Sequence, residues 1–260
     1  MKVLTVFGTR PEAIKMAPLA MGLQTDPRFE SLVCVTAQHR EMLDQVTALF
    51  GICPDFDLDV MRAGQSLNGV TAAILQGLKP VLEDCAPDIV LVHGDTATTM
   101  ATTIAAYYAQ IPVGHVEAGL RTGNLYSPWP EEGNRKITCA LAAMHFAPTD
   151  TAKEHLLKEN KSEGSIYVTG NTVIDALKTT VRDHYTHPVL ERIPEGARMI
   201  LVTAHRRENL GQPLENICHA ILRVAIEFPD THFVYPVHMN PKVRETVEGI
   251  LSNHPRIHLI

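Results

Sequence analysis

Asp88-Ile89-Val90-Leu91-Val92 is a short β-branched run that closes on His93-Gly94-Asp95-Thr96. A brief apolar run without polar alternation reads as a strand buried on both faces, as parallel sheets require. The same grammar recurs at residues 111–116, which run into Glu117-Ala118-Gly119-Leu120-Arg121-Thr122. Carboxylates at the C-terminal ends of such strands stand where open α/β sheets bind ligands. Asp95 and Glu117 are therefore expected to share one cleft with Glu131 of Ser127-Pro128-Trp129-Pro130-Glu131-Glu132. Crowded carboxylates repel, so at least one is expected to keep its proton near neutral pH, which suits acid–base chemistry.

Outward from that core, strands are expected at 2–7, 32–36, 88–92, 113–116, 144–147, 166–169, 199–203, 232–237 and 257–260. Helical patterns fall between them at 11–23, 41–50, 70–82, 98–109, 152–159, 173–185, 214–228 and 243–251. Such alternation specifies the α/β class, with parallel sheets covered by helices on both faces. The punctuation His184-Tyr185-Thr186-His187-Pro188 and Pro194-Glu195-Gly196 marks a linker. We therefore expect one domain over 1–170, then a linker helix and a second domain over 171–260. The second block has only three strands and two helices and stops inside a strand, so it is expected to be incomplete, part of a longer protein.

The 260 residues are 45% hydrophobic and 20% charged, an ordinary globular composition. A net charge of −6 supplies no basic excess for nucleic acid, so anionic ligands must be met by local cations. The five cysteines are scattered, without a Cys-x-x-Cys pair, which fits a reducing cytoplasm and disfavours disulfides or structural zinc. The N-terminal apolar run is too short for a signal peptide, and no stretch has the length of a membrane span. No metal-binding histidine pattern and no Gly-x-Ser-x-Gly elbow appears, so neither a metal nor a serine nucleophile is expected.

Gly8-Thr9-Arg10-Pro11-Glu12-Ala13-Ile14-Lys15 follows the first strand. Helix capping accounts for Thr9, Pro11 and Glu12 but leaves Gly8, Arg10 and Lys15 unexplained. A glycine turn, a helix start and two cations together suggest a phosphate or diphosphate site, although the Gly-x-Gly-x-x-Gly pattern of nicotinamide dinucleotides is absent. Gln38 and Glu41 lie at the corner after the second strand, where a capped turn is an equally good account. Asp95 also reads as an N-cap, Glu117 as an ion-pair partner of Arg121, and Glu131 and Glu132 as acids in a first helical turn. His205-Arg206-Arg207 at the end of a second-block strand suits a phosphate ligand, and His238 closes the next strand.

Val6-Phe7-Gly8-Thr9-Arg10-Pro11-Glu12-Ala13-Ile14-Lys15, Val92-His93-Gly94-Asp95-Thr96 and Gly114-His115-Val116-Glu117-Ala118-Gly119-Leu120-Arg121-Thr122 resemble the bacterial non-hydrolysing UDP-N-acetylglucosamine 2-epimerases, as do Pro130-Glu131-Glu132, Thr169-Gly170-Asn171-Thr172-Val173-Ile174-Asp175 and Thr203-Ala204-His205-Arg206-Arg207-Glu208-Asn209. The resemblance runs the whole chain. It implies two Rossmann-like domains in a GT-B-like arrangement, the second truncated here before an acidic, glycine-rich nucleotide-binding segment. It also implies interconversion of UDP-GlcNAc and UDP-ManNAc by loss of the C2 proton with departure of UDP, through 2-acetamidoglucal, without a cofactor. Asp95, Glu117 and Glu131 become the acid–base candidates, His205 the group beside the diphosphate, and Arg10 and Lys15 nucleotide-sugar ligands. A cytoplasmic homodimer is implied as well. UDP-GlcNAc becomes a candidate allosteric activator through Gln38, Glu131, Arg206 and His238, and through Glu41, which stands where such relatives carry glutamine. The alternatives are a GT-B glycosyltransferase, a hydrolysing epimerase, or a fragment without activity.

Overall fold

In the first strand, β1 (Lys2–Phe7), Val3 and Phe7 enter one apolar core while Leu4 and Val6 enter another. In β4 (Ile89–His93), Ile89 and Leu91 face the first core, and Val90 and Val92 the second. Side chains alternate across a strand, so a strand covered on both faces must be apolar at consecutive positions. The computed structural model describes residues 1–37, 40–60, 62, 64–204 and 209–260, with every side chain among them except those of Glu41 and Met42.

Around β1 and β4 stand β2 (Glu30–Val35), β3 (Phe56–Asp57), β5 (Val113–Val116), β6 (Met144–Ala147) and β7 (Ile166–Val168). They form one seven-stranded parallel sheet in the order β3-β2-β1-β4-β5-β6-β7. One face carries α1 (Arg10–Thr25), α2 (Arg40–Phe50) and α7 (Val173–Thr180), through residues such as Met16, Leu43 and Ala176. The other carries α3 (Leu67–Cys85) and α4 (Ala97–Tyr108), through Ile74, Leu78 and Ala101. A smaller cluster of Cys139, Ala152, Leu156 and Ile166 seats α5 (Glu131–Leu141) and α6 (Asp150–Lys158). The strand order reverses between β1 and β4, and at such a switch point the connections leave in opposite directions and open a crevice.

Two local features depart from the sequence expectation. The two-residue β3 is too short to give a periodic signal. The helix expected over 173–185 stops at Thr180, and Val181 is extended. A β-branched run, Thr179-Thr180-Val181, weakens the helix there, and both threonine hydroxyls bond back to carbonyls of the preceding turn. The chain divides into two compact units, Met1–Val181 and Arg182–Ile260. Because α7 packs on α1, it goes with the first unit instead of serving as a linker helix beyond residue 170.

The second unit holds β8 (Arg198–Leu201), α8 (Gln212–Glu227), β9 (Thr231–Tyr235), α9 (Pro241–Leu251) and β10 (Ile257–Leu259), with parallel strands ordered β10-β9-β8. Leu214, Cys218, Tyr235, Val243, Val247 and Leu251 belong to its own core. Among the described residues no helix is long and apolar enough to cross a membrane.

Candidate active site

The turn after β1 is built around a buried carboxylate. Glu12 is 2% exposed. Its Oε2 accepts from the amides of Gly8 (3.0 Å) and Thr9 (2.7 Å), and its Oε1 from the hydroxyls of Thr96 (2.6 Å) and Thr99 (3.1 Å). Burial raises its pKa, and these donors work against that rise. The glutamate half of the expected capping box is thus made, and it extends to the start of α4. The Gly8 and Thr9 amides face inward onto Glu12, so these two are not offered to a phosphate. Gly8 itself is demanded by space, because a Cβ there would overlap the hydroxyls of Thr36 and Thr98, which bond each other at 2.9 Å. Replacing Glu12 by alanine strands several buried donors, and we expect a loss of roughly 3 kcal/mol in urea unfolding.

Above this turn the ends of β1, β4 and β5 enclose a cavity of about 220 Å³ lined by Glu12, Lys15, His93, Asp95, Glu117 and Arg135, among others. Glu117 is held by Lys15, whose Nζ lies 2.6 Å from Oε1 and 2.9 Å from Oε2, and by Asn171 Nδ2 at 2.8 Å from Oε1. His93 Nε2 lies 3.3 Å from Glu117 Oε2, close enough for charge interaction but outside good hydrogen-bond geometry. Burial opposes the Glu117 charge, yet His93, Lys15 and Asn171 outweigh it and hold the carboxyl below its ordinary range. His93 is itself driven down to about 4 by burial, so near neutral pH Lys15 and Asn171 do most of this work. Glu117 also adopts a left-handed backbone (φ 62°), a conformation that costs a non-glycine residue about 1–3 kcal/mol.

Asp95 behaves oppositely. Burial raises its pKa, and Glu131 and Glu117 add to the rise while Arg135 and Lys15 oppose it. Its carboxylate pairs with the Arg135 guanidinium, and its carbonyl accepts from Asn134 Nδ2 at 2.8 Å. Two carboxyls lining one cavity are thus shifted in opposite directions in acidity by their surroundings.

The remaining sequence candidates fall unevenly. Lys15 lines the cavity but is engaged by Glu117. Arg10 opens α1 and has no ion-pair partner among the described residues. Glu131 does not line the cavity, although its charge reaches Asp95, and its buried Oε2 has no partner among the described residues. His238 is in the second unit, its Nδ1 accepting from the Asn240 amide at 3.1 Å. Gln38, His205 and Arg206 lie outside the described residues, as does the side chain of Glu41. The alternative pairing of Glu117 with Arg121 is not formed, since Arg121 makes a two-pronged contact with Glu159 through Nε (2.9 Å) and Nη2 (2.6 Å). Arg135, Asn171 and His93 carry no isolated signal in the sequence. Each sits inside or beside a quoted motif, which is the only hint available. Among the described residues, no group of three or more His, Cys, Asp and Glu is placed to hold a metal ion.

The family model for UDP-N-acetylglucosamine 2-epimerase matches residues 21–260. The chain belongs to the UDP-N-acetylglucosamine 2-epimerase family. It is 60% identical over 260 residues to the UDP-N-acetylglucosamine 2-epimerase of Bacillus subtilis (strain 168), spanning 100% of this chain and 68% of that one. Against the Escherichia coli (strain K12) enzyme of the same name, identity is 58% over 269 residues, spanning 100% of this chain and 71% of the relative. The crystal structure of UDP-GlcNAc 2-epimerase from Neisseria meningitidis bound to UDP-GlcNAc is similar at a TM-score of 0.90 and 51% identity, covering 100% of this chain and 72% of that one. The large parallel sheet with helices on both faces is thus that of the GT-B-like epimerases.

Proposed function

We propose that this protein acts on UDP-GlcNAc as a non-hydrolysing 2-epimerase. The observation that carries the reading is the pair of cavity carboxyls, Asp95 and Glu117, shifted in opposite directions at the ends of adjacent strands. In the reaction one enzyme group takes the proton from C2. The C2–H electrons form a C1=C2 double bond, and the bond from C1 to the diphosphate breaks, releasing UDP and leaving 2-acetamidoglucal. UDP then adds back to C1, and C2 accepts a proton on its other face. The proton is weakly acidic and the leaving group anionic, so a positioned base and a cationic diphosphate site are both needed. Asp95, Glu117 and Glu131 are our acid–base set, with Arg10 and His205 for the diphosphate. Lys15 serves by keeping Glu117 ionised. A cavity of about 220 Å³ is below the roughly 300–1,000 Å³ of pockets that enclose a whole drug-sized ligand, which favours a site for the sugar end alone.

The test is proton NMR of the chain with UDP-GlcNAc in D2O. We expect UDP-ManNAc to appear with deuterium at C2. Free ManNAc and UDP would point to the hydrolysing reaction instead. No product, together with no heat on titrating UDP, would overturn the proposal for this chain.

A further inference from the structure

Asp95 is gripped from α5 at two points, by Asn134 on its carbonyl and by Arg135 on its carboxylate. Arg135 is itself anchored. Its Nη1 donates to Glu132 Oε2 at 3.2 Å, and the Glu132 side chain is wholly buried, with Oε1 accepting from the Gly123 amide at 3.4 Å. Glu132 and Arg135 stand three residues apart and so share a helix face. A fully buried carboxylate is costly to maintain unless it is paired, and Arg135 is the only cation paired with it among the described residues. The row Glu132–Arg135–Asp95 therefore runs from the buried first turn of α5 to the cavity wall.

We propose that Arg135, aimed by Glu132, is a positioning residue that fixes the orientation and the charge state of Asp95. The inference rests on the epimerase reading for its catalytic consequence but not for its electrostatic one. Asp95 is faced by Arg135 and Glu131 from α5, by Glu117 from the end of β5 and by Lys15 from α1. Arg135 and Lys15 are the two cations in that set, and Lys15 is already committed to Glu117. Removing Arg135 leaves two carboxylates facing Asp95 with no cation of its own, so its proton should be held to higher pH. That direction is the same whether Asp95 gives or takes the C2 proton.

The experiment is a carboxyl-carbon NMR titration of the chain labelled at aspartate, with Asp95→Asn to assign the resonance, alongside the pH–rate profile for UDP-GlcNAc. Arg135→Gln is expected to raise the Asp95 midpoint by about one pH unit or more, and Arg135→Lys to hold it near the parent value. The limb of the rate profile that belongs to Asp95 should move with the midpoint, whereas a purely structural role would lower the rate without moving it. Arg135→Met provides a second route if Arg135→Gln does not fold, and the same upward movement is expected. An unmoved midpoint in whichever of these two neutral variants folds, or equal movement in it and in Arg135→Lys, would overturn the proposal. If the epimerase reading itself fails, turnover is absent while the midpoint still moves.

Discussion

Glu117→Gln is expected to cut conversion of UDP-GlcNAc by about 10²–10⁴-fold, the usual contribution of a positioned acid–base group. The glutamine is nearly isosteric. Its amide oxygen can still accept from Lys15 and Asn171, which both bond Oε1, so the change removes proton-transfer capacity more than shape. Binding of UDP should therefore survive. The paired measurements are NMR conversion rates and calorimetric titration with UDP, and parental rates in this variant would strike Glu117 from the acid–base set. Asp95→Asn is expected to behave in the same manner.

The largest loss of stability is expected from Gly119→Ala. Gly119 sits just beyond Glu117 with φ at 89°, and a Cβ would overlap the backbone carbonyl of Ala152 in α6. The left-handed strain and the forced shift of packed main chain together cost about 3–5 kcal/mol, a large share of a typical folding free energy. His155 Nδ1, 2.9 Å from the Gly119 carbonyl oxygen, ties the same loop to α6 and restricts its escape. Gly51→Ala is the internal control. Gly51 also has positive φ (66°), but nothing lies within 4 Å of its added carbon, so only the backbone strain should register. Comparable urea midpoints for the two variants would remove the clash from the explanation.

The strands and helices that build this site were readable because burial on both faces leaves unbroken apolar runs, and β1, β5 and β6 fall where the sequence places them. The carboxylates were readable for a related reason, since a strand in a parallel sheet delivers its next residue to the ligand edge. What escaped was the choice of partners. Glu117 lies four residues from Arg121 in sequence but pairs with Lys15, 102 positions away. That choice is set by the placement of β5 beside β4, and of α1 over the sheet, which no local pattern records. The capping box of α1 was legible in Thr9 and Glu12. Its continuation to Thr96 and Thr99 was not, because it depends on β1 and β4 being neighbours.

The backbone at Glu117 has a consequence for how this protein could be improved or worn down. Glycine would take that left-handed conformation without the penalty a larger residue meets. Selection for heat resistance alone would therefore tend to discard the carboxylate, and the thermal margin given up at this position is a local measure of what the chemistry demands.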